Sequence, residues 1–299
     1  MSFSEELKSE LCKIENQPCC QKAEAFGLLL FGRSFSRREM SLLTQSEAVA
    51  QRYANAITGL TGIVPSSIRS QAGKYTVKVD DAGQTHTILE CLGYTGKEIT
   101  SRINRANLEN DCCEQAFLRG VFLVCGTVTN PEKDYHLEFV TAKQRLSLDL
   151  LRILEDVTPK IKQIRRKNGY ALYIKDGEGI EDILGYMGAA SSFLRMLNIR
   201  ATKDVRNSVN RRMKFETANL SRTIDASVAQ VNSIRTIEQL SSLDSLSEDL
   251  RELALLRLNN REASLNELGT LMHPPLSRSA VNRRFIKLSM TADELKRKQ

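Results

Sequence analysis

The 299-residue sequence has no apolar run long enough to cross a bilayer, where about 20 consecutive apolar residues are needed. It also lacks the opening of a secretory signal. MSFSEELKSELCKIEN reads instead as a charged amphipathic helix over residues 2–16, with Ser2 or Ser4 as its cap. The expectation is a cytoplasmic protein. No low-complexity block interrupts a composition that is 41% hydrophobic and 26% charged, and the length allows two domains. Histidine is scarce, and His86, His136 and His273 are scattered. The 7 cysteines are odd in number and never fall in CxxC spacing. Adjacent Cys-Cys pairs make poor zinc ligands, and a reducing compartment disfavours disulfides. The cysteines are therefore expected to be packing residues, with no metal and no cofactor.

What is present is a duplication. Cys112–Val128, CCEQAFLRGVFLVCGTV, lies over Cys19–Phe35, CCQKAEAFGLLLFGRSF, when the chain is slid back by 93 positions. Cys19-Cys20 falls under Cys112-Cys113, Ala23 under Ala116, Gly27 under Gly120 and Ser34 under Thr127. Each copy is a helix-length apolar run with a glycine in its middle. Such a glycine costs about 1 kcal/mol against alanine, so it points to close approach of two helices, here on a pseudo-twofold axis. The echo continues. Ala50-Gln51-Arg52 lies under Lys143-Gln144-Arg145 in a second helix, and with a slip of two residues the strand Tyr75–Asp80 matches Tyr170–Lys175.

Periodicity gives each copy the order αββαββα. The first has a helix at 20–31, a hairpin over 35–43, a helix over Glu47–Thr61 ending at Gly62, strands at 66–69 and 74–79 around a Gln71–Gly73 turn, and a helix at 84–92. The second has a helix at 114–124, strand Thr127-Val128, a turn at 130–133, strand Tyr135–Val140, a helix near 143–156, strands at 160–165 and 170–174, and a helix at 179–187. The fold class expected is α+β: a duplicated αββαββα domain over 1–198, with repeats at about 17–105 and 110–198, then an all-α domain.

Charge divides the chain in the same place. Residues 200–299 hold 18 basic and 12 acidic side chains, so the last third carries +6 of the net +7. A nearly neutral body with a basic tail implies that the tail meets a polyanion. Arg195–Lys214 alone contains seven basic residues and one acid, Asp204, with neither Gly nor Pro. Residues 199–224 read as a basic linker, ordered rather than floppy, in which Arg211 and Arg212 track a DNA backbone; a helix is expected over Ala218–Arg235. Residues 225–299 read as a helix-turn-helix domain. It has a helix over Glu248–Leu258, a second capped by Ser264 with Glu267 completing a capping box, and a third capped by Ser277.

The register of that third helix follows from spacing. Val281, Phe285 and Leu288 fall at i, i+4 and i+7 and form its packed stripe. Half a turn away stand Ser279, Asn282, Arg283 and Ile286. Asparagine pairs bidentately with adenine and arginine with guanine, so Asn282 and Arg283 are the base-reading candidates. Arg278, Arg284 and Lys287 flank them and suit phosphates.

These residues also carry a resemblance. A duplicated αββαββα unit whose first helix ends in a glycine turn resembles the LAGLIDADG homing endonucleases, whose motif helices pack on each other and carry a metal-binding acid just before the terminal glycine. The matching stretches are Leu118–Gly126 and Ala25–Arg33, and the acidic positions hold Cys125 and Gly32. Neither can ligate Mg²⁺, which wants hard oxygen donors, so the resemblance implies a fold kept and a nuclease lost, with no catalytic residues. Joined to a C-terminal helix-turn-helix, such a body is similar to the WhiA family of regulators of sporulation and cell division in Gram-positive bacteria. Residues 116–139, 210–223 and 263–288 carry that likeness. It implies a DNA-binding, nucleoid-associated transcription regulator of division, segregation or sporulation genes. Its tail would be similar to the promoter-reading domain of sigma factors, with RNA polymerase or another regulatory protein as a further partner. An active site-specific endonuclease is the competing reading, and a body turned into a small-effector pocket is a third.

Overall fold

The apolar period of each repeat becomes a helix wherever a cap starts it and a glycine or a turn stops it. The computed structural model describes residues 2–69, 73–98 and 101–298. The chain opens with α1 (Phe3–Leu11), started by a capping box in which Ser2 and Glu5 each bind the other's backbone N–H.

The first repeat runs α2 (Pro18–Leu30), β1 (Ser34–Phe35), β2 (Met40–Thr44), α3 (Glu47–Thr61), β3 (Ser66–Arg69), β4 (Tyr75–Val79) and α4 (Ala82–Cys91). Ser46 caps α3 by accepting from the Val49 N–H, and Gly62 ends it in the left-handed region at φ 76°. The turn expected at Gln71–Gly73 has its first two residues outside the described ones. The second repeat runs α5 (Asp111–Cys125), β5 (Gly126–Val128), β6 (Leu137–Thr141), α6 (Gln144–Val157), β7 (Lys162–Arg166), β8 (Gly169–Ile174) and α7 (Gly177–Tyr186). Each repeat is αββαββα.

Both sheets are antiparallel and share one topology, β1-β2-β4-β3 and β5-β6-β8-β7. Alternation puts Met40, Leu42, Val77 and Val79 of one sheet, and Leu137, Phe139, Leu172 and Ile174 of the other, into a core shared with α1, α2, α5 and α6.

The chain divides into two units, one ending at Asp204 and the other starting at Val205. The division falls inside α8 (Ala190–Leu240), a 51-residue helix. Thus the stretch read as a basic linker is helical throughout, and the helix expected from Ala218 starts at Ala190. Nothing in it breaks a helix, since Gly and Pro are absent. The second unit continues with α9 (Glu248–Asn259), α10 (Leu265–Leu271) and α11 (Arg278–Arg297). Its own core joins Ile234 and Ile237 of α8 to Leu253, Ala254, Leu268, Met272, Val281, Phe285, Leu288 and Ala292.

Candidate nucleic-acid interface

The motif helices α2 and α5 lie side by side, running the same way, with residues 93 apart facing each other. A Cβ on Gly27 would stand 2.4 Å from the Phe117 carbonyl oxygen, and one on Gly120 would stand 2.3 Å from that of Glu24. Only glycine lets the two backbones come this near, as the mid-helix glycines imply. Phe26 and Phe117 pack next to them with ring centroids 5.4 Å apart.

At the C-terminal ends of this pair the motif's acidic positions hold Gly32 and Cys125. A Cβ on Gly32 would come 2.9 Å from the Ser41 carbonyl oxygen, so no side chain fits there without movement. Desolvation pushes the Cys125 thiol up to about 12, against the pull of Lys8, so the sulfur is neutral near pH 7. The Lys8 ammonium is itself held below its usual range by burial. A neutral sulfur offers a hard cation no oxygen donor and no charge.

Between the two ends, Arg119 of α5 is buried against Glu24 of α2, Nε to Oε2 at 2.9 Å. Arg52 closes on the same carboxylate at 2.5 and 3.1 Å, and Asn16 donates to it at 2.6 Å. Arg119 also donates to the Met187 carbonyl at 2.8 Å and to Asn16 Oδ1 at 2.6 Å. Desolvation pushes the Glu24 pKa up, but the hydrogen bonds from Arg52, Asn16 and Arg119 outweigh it and leave the carboxyl below its ordinary range. Arg119 is thus an internal ion-pair residue, not a phosphate contact. His136 and Glu138, which share a strand face, sit 3.2 Å apart, but Arg166 holds the same carboxylate at 2.6 Å. That arrangement is an ion pair, not a metal ligand set.

Four of the cysteines are brought together by the fold, which the expectation of packing residues did not include. Cys19, Cys20, Cys112 and Cys113 meet at the N-terminal ends of α2 and α5, with all four sulfurs within 4.8 Å of one another. An isolated Cys-Cys pair is a poor chelate, but the pairing of the repeats supplies two. The signal was in the sequence: dipeptides related by the 93-residue shift must meet if their helices pair on the axis. Burial and the neighbouring thiols push the Cys20 pKa up to about 12.

In the second unit α10, the turn after it and α11 make the helix-turn-helix. Ser264 and Glu267 form the capping box of α10, and Ser277 caps α11 by accepting from the Ala280 N–H. A Cβ on Gly269 would stand 2.3 Å from the Leu276 carbonyl oxygen, so glycine is required where the turn crosses α10. The buried Arg257 of α9 locks the preceding turn, donating to the carbonyls of Asn260, Arg261 and Ala263 and lying over the Phe285 ring.

Val281, Phe285 and Leu288 are buried, which fixes the roll of α11. Arg278, Ser279, Asn282, Arg283, Ile286 and Lys287 are exposed to solvent, with Ser279, Arg283 and Ile286 opposite the buried stripe and Arg278 and Lys287 on its flanks. Ser279 is in hydrogen-bond reach of Ser277, and with Arg278 and Asn282 it lines a shallow hollow beside Leu265. Arg284 is engaged within the unit: its Nε lies 2.9 Å from Asp249 Oδ2 of α9. Arg211 and Arg212 are exposed on α8, where Arg212 pairs with Glu216 one turn on. No helix among the described residues is long and apolar enough to cross a membrane.

Comparison with known proteins places these features together. Residues 114–206 match the WhiA LAGLIDADG-like domain, and residues 209–292 match the WhiA C-terminal HTH domain. The chain is 37% identical over 310 residues to a probable cell division protein WhiA of Ruminiclostridium cellulolyticum, covering 99% of each chain. To its counterpart in Alkaliphilus metalliredigens it is also 37% identical, covering 98% of each. Among solved structures, full-length WhiA from Thermatoga maritima superposes with a TM-score of 0.60 at 25% identity, over 98% of this chain and 99% of that one.

Proposed function

The chain belongs to the WhiA family, and from that premise we propose that it is a DNA-binding transcription regulator built on a homing-endonuclease fold that has lost its nuclease. Its genes would be those of cell division, in keeping with the names its relatives carry, and its place the bacterial cytoplasm, on the nucleoid. Double-stranded DNA is the partner, with RNA polymerase or another regulatory protein as a second.

The observation that carries the reading is the outer face of α11. Its inner stripe is spent on the core, and its outer side offers Ser279, Asn282 and Arg283 for base edges with Arg278 and Lys287 for phosphates. The unit's basic surplus supplies the sequence-independent attraction on which such recognition rests. Residues 225–299 act as the reader, and 199–224 contribute Arg211 and Arg212 alongside the DNA backbone. Gly32 and Cys125 support the absence of cleavage, because in-line phosphodiester hydrolysis on this fold needs carboxylates to seat its metal.

Mapping the full chain on its own chromosome tests the reading. Discrete enriched segments upstream of division genes are expected, and the purified protein should bind them in preference to scrambled duplexes. Uniform occupancy would overturn sequence-specific regulation. Incubated with supercoiled plasmid and Mg²⁺ or Mn²⁺, the protein should leave it intact. Nicking that copurifies with the chain would favour the endonuclease instead.

A further inference from the structure

We propose that Cys19, Cys20, Cys112 and Cys113 form a tetrathiolate site for one zinc ion, which ties the two repeats together at the N-terminal ends of α2 and α5.

The spacing of the sulfurs fits such an ion. A zinc–thiolate bond is about 2.3 Å, so tetrahedral geometry puts neighbouring sulfurs about 3.8 Å apart. Cys19 and Cys20 stand 3.8 Å apart, Cys19 and Cys112 stand 4.0 Å apart, and the whole set lies within 4.8 Å. The cage need only contract slightly. Four sulfurs this close enclose a single ion; a cluster of several irons would force them further apart. A disulfide requires about 2.05 Å, far shorter than the separations between Cys19 and either neighbour.

The surroundings fit the charge. Four thiolates on Zn²⁺ leave the site with two negative charges; each cysteine lies in the first turn of its helix, where the macrodipole favours an anion and works against the repulsion of the Asp111 and Glu114 carboxylates in the same turn of α5. Neither N-cap side chain, Gln17 on α2 or Asn110 on α5, bonds to the first-turn amides. Cys20 and Cys113 are buried and Cys19 and Cys112 half-buried, which leaves a path for the ion from one side. Binding releases up to one proton per thiol as the metal takes each sulfur. With four protein ligands there is no open position for water or substrate, so the site is structural and not hydrolytic. It lies at the end of the helix pair opposite Gly32 and Cys125 and is independent of the DNA-binding reading.

The full chain, purified under reductant without chelator, should carry about one zinc per molecule by elemental analysis. Replacing zinc with Co²⁺ should give the intense visible bands and the thiolate charge-transfer absorption of a tetrahedral thiolate site. Cys19→Ser with Cys112→Ser alters the two half-exposed sulfurs and leaves the buried pair in place. It should weaken Co²⁺ binding by about tenfold or more and abolish the charge-transfer intensity expected of four sulfurs. Cys125→Ser, far from the cage, should change neither. Chelation of the wild-type chain should lower its melting temperature towards that of the double variant. Three results would each overturn the proposal: a reduced wild-type chain that takes up no zinc from a stoichiometric supply, cobalt spectra without thiolate bands, or equal metal binding by the double variant. If the double variant does not fold, the wild-type zinc content and cobalt spectrum decide alone.

Discussion

The buried carboxylates of the first unit and the outer face of α11 in the second use charge in opposite ways. In the first, two carboxylates are turned inward and matched: Glu24 is 2% exposed under Arg52 and Arg119, and Glu181 is 3% exposed under a two-point contact from Arg200 at 2.7 and 2.8 Å. In the second, Arg278, Arg283 and Lys287 stand on the outer side of α11 with no carboxylate in ion-pair reach among the described residues. Paired buried charge fixes which helix faces which, because a slipped arrangement would strand an ion in the core. Unpaired exposed charge does little for folding and remains available for a partner. Salt should therefore barely move the stability of the first unit, while it weakens the DNA binding of the second steeply.

The largest effect should come from breaking the inward arrangement. Glu24→Gln keeps the shape but leaves Arg119 and Arg52 facing each other without their anion, and removing one partner of a buried pair costs about 3–5 kcal/mol. Denaturant unfolding of the full chain would read that loss. The same network has a pH signature. The folded Glu24 pKa lies below its ordinary value, so its contribution is fully present above the unfolded carboxyl value of about 4.3 and is lost as pH falls through the folded value. Acid titration of stability should show that loss in the wild type and not in Glu24→Gln. An unchanged profile would mean that Glu24 is not the coupled group.

Close backbone approach comes next. Gly120→Ala drives a Cβ against the Glu24 carbonyl, and Gly269→Ala does the same against Leu276 in the second unit. Overpacking of this kind costs about 1–3 kcal/mol, and contact with backbone puts both at the upper end. Gly120→Ala should lower the melting of the first unit and leave sequence preference intact. Gly269→Ala should disturb DNA binding, because it shifts the turn that seats α11.

What could be read before folding follows the range of the forces. Caps, the Gly62 stop, the two mid-helix glycines and the stripe on α11 are local in period or in backbone conformation, so the sequence displays them directly. The duplication extends that reach, since it makes one repeat a template for the other. Glu24 was not legible as the partner of Arg119, because a lone acid in an apolar helix carries no mark of what it will meet 95 positions on. The cysteine cage was legible in principle, given the shift and the axis together, but each Cys-Cys pair alone pointed the other way. The length of α8 was obscured by its composition: its exposed run is so basic that it reads as a linker, although no residue in it stops a helix.

The smallest effects should separate the residues of α11 from one another. Arg284, held by Asp249, belongs with the internal pairs: Arg284→Ala should cost about 0–1 kcal/mol of stability, as a partly exposed pair does. Arg283 and Lys287 are both exposed and, among the described residues, without an ion-pair partner, yet they should fail differently. A guanidinium forked onto one guanine contributes to one base pair, so Arg283→Ala should weaken the specific duplex by about 1–3 kcal/mol and relax preference at that position. On the proposed reading, Lys287 would offer a point charge to a phosphate that every sequence possesses. Its removal should weaken specific and scrambled duplexes alike and reduce the slope of log affinity against log salt by about one. Titrations on both duplexes at several salt concentrations measure both quantities at once. If Arg283→Ala left the specific-to-scrambled ratio unchanged while Lys287→Ala altered it, their assignments would be reversed. If neither moved the ratio, α11 would hold the DNA without reading it.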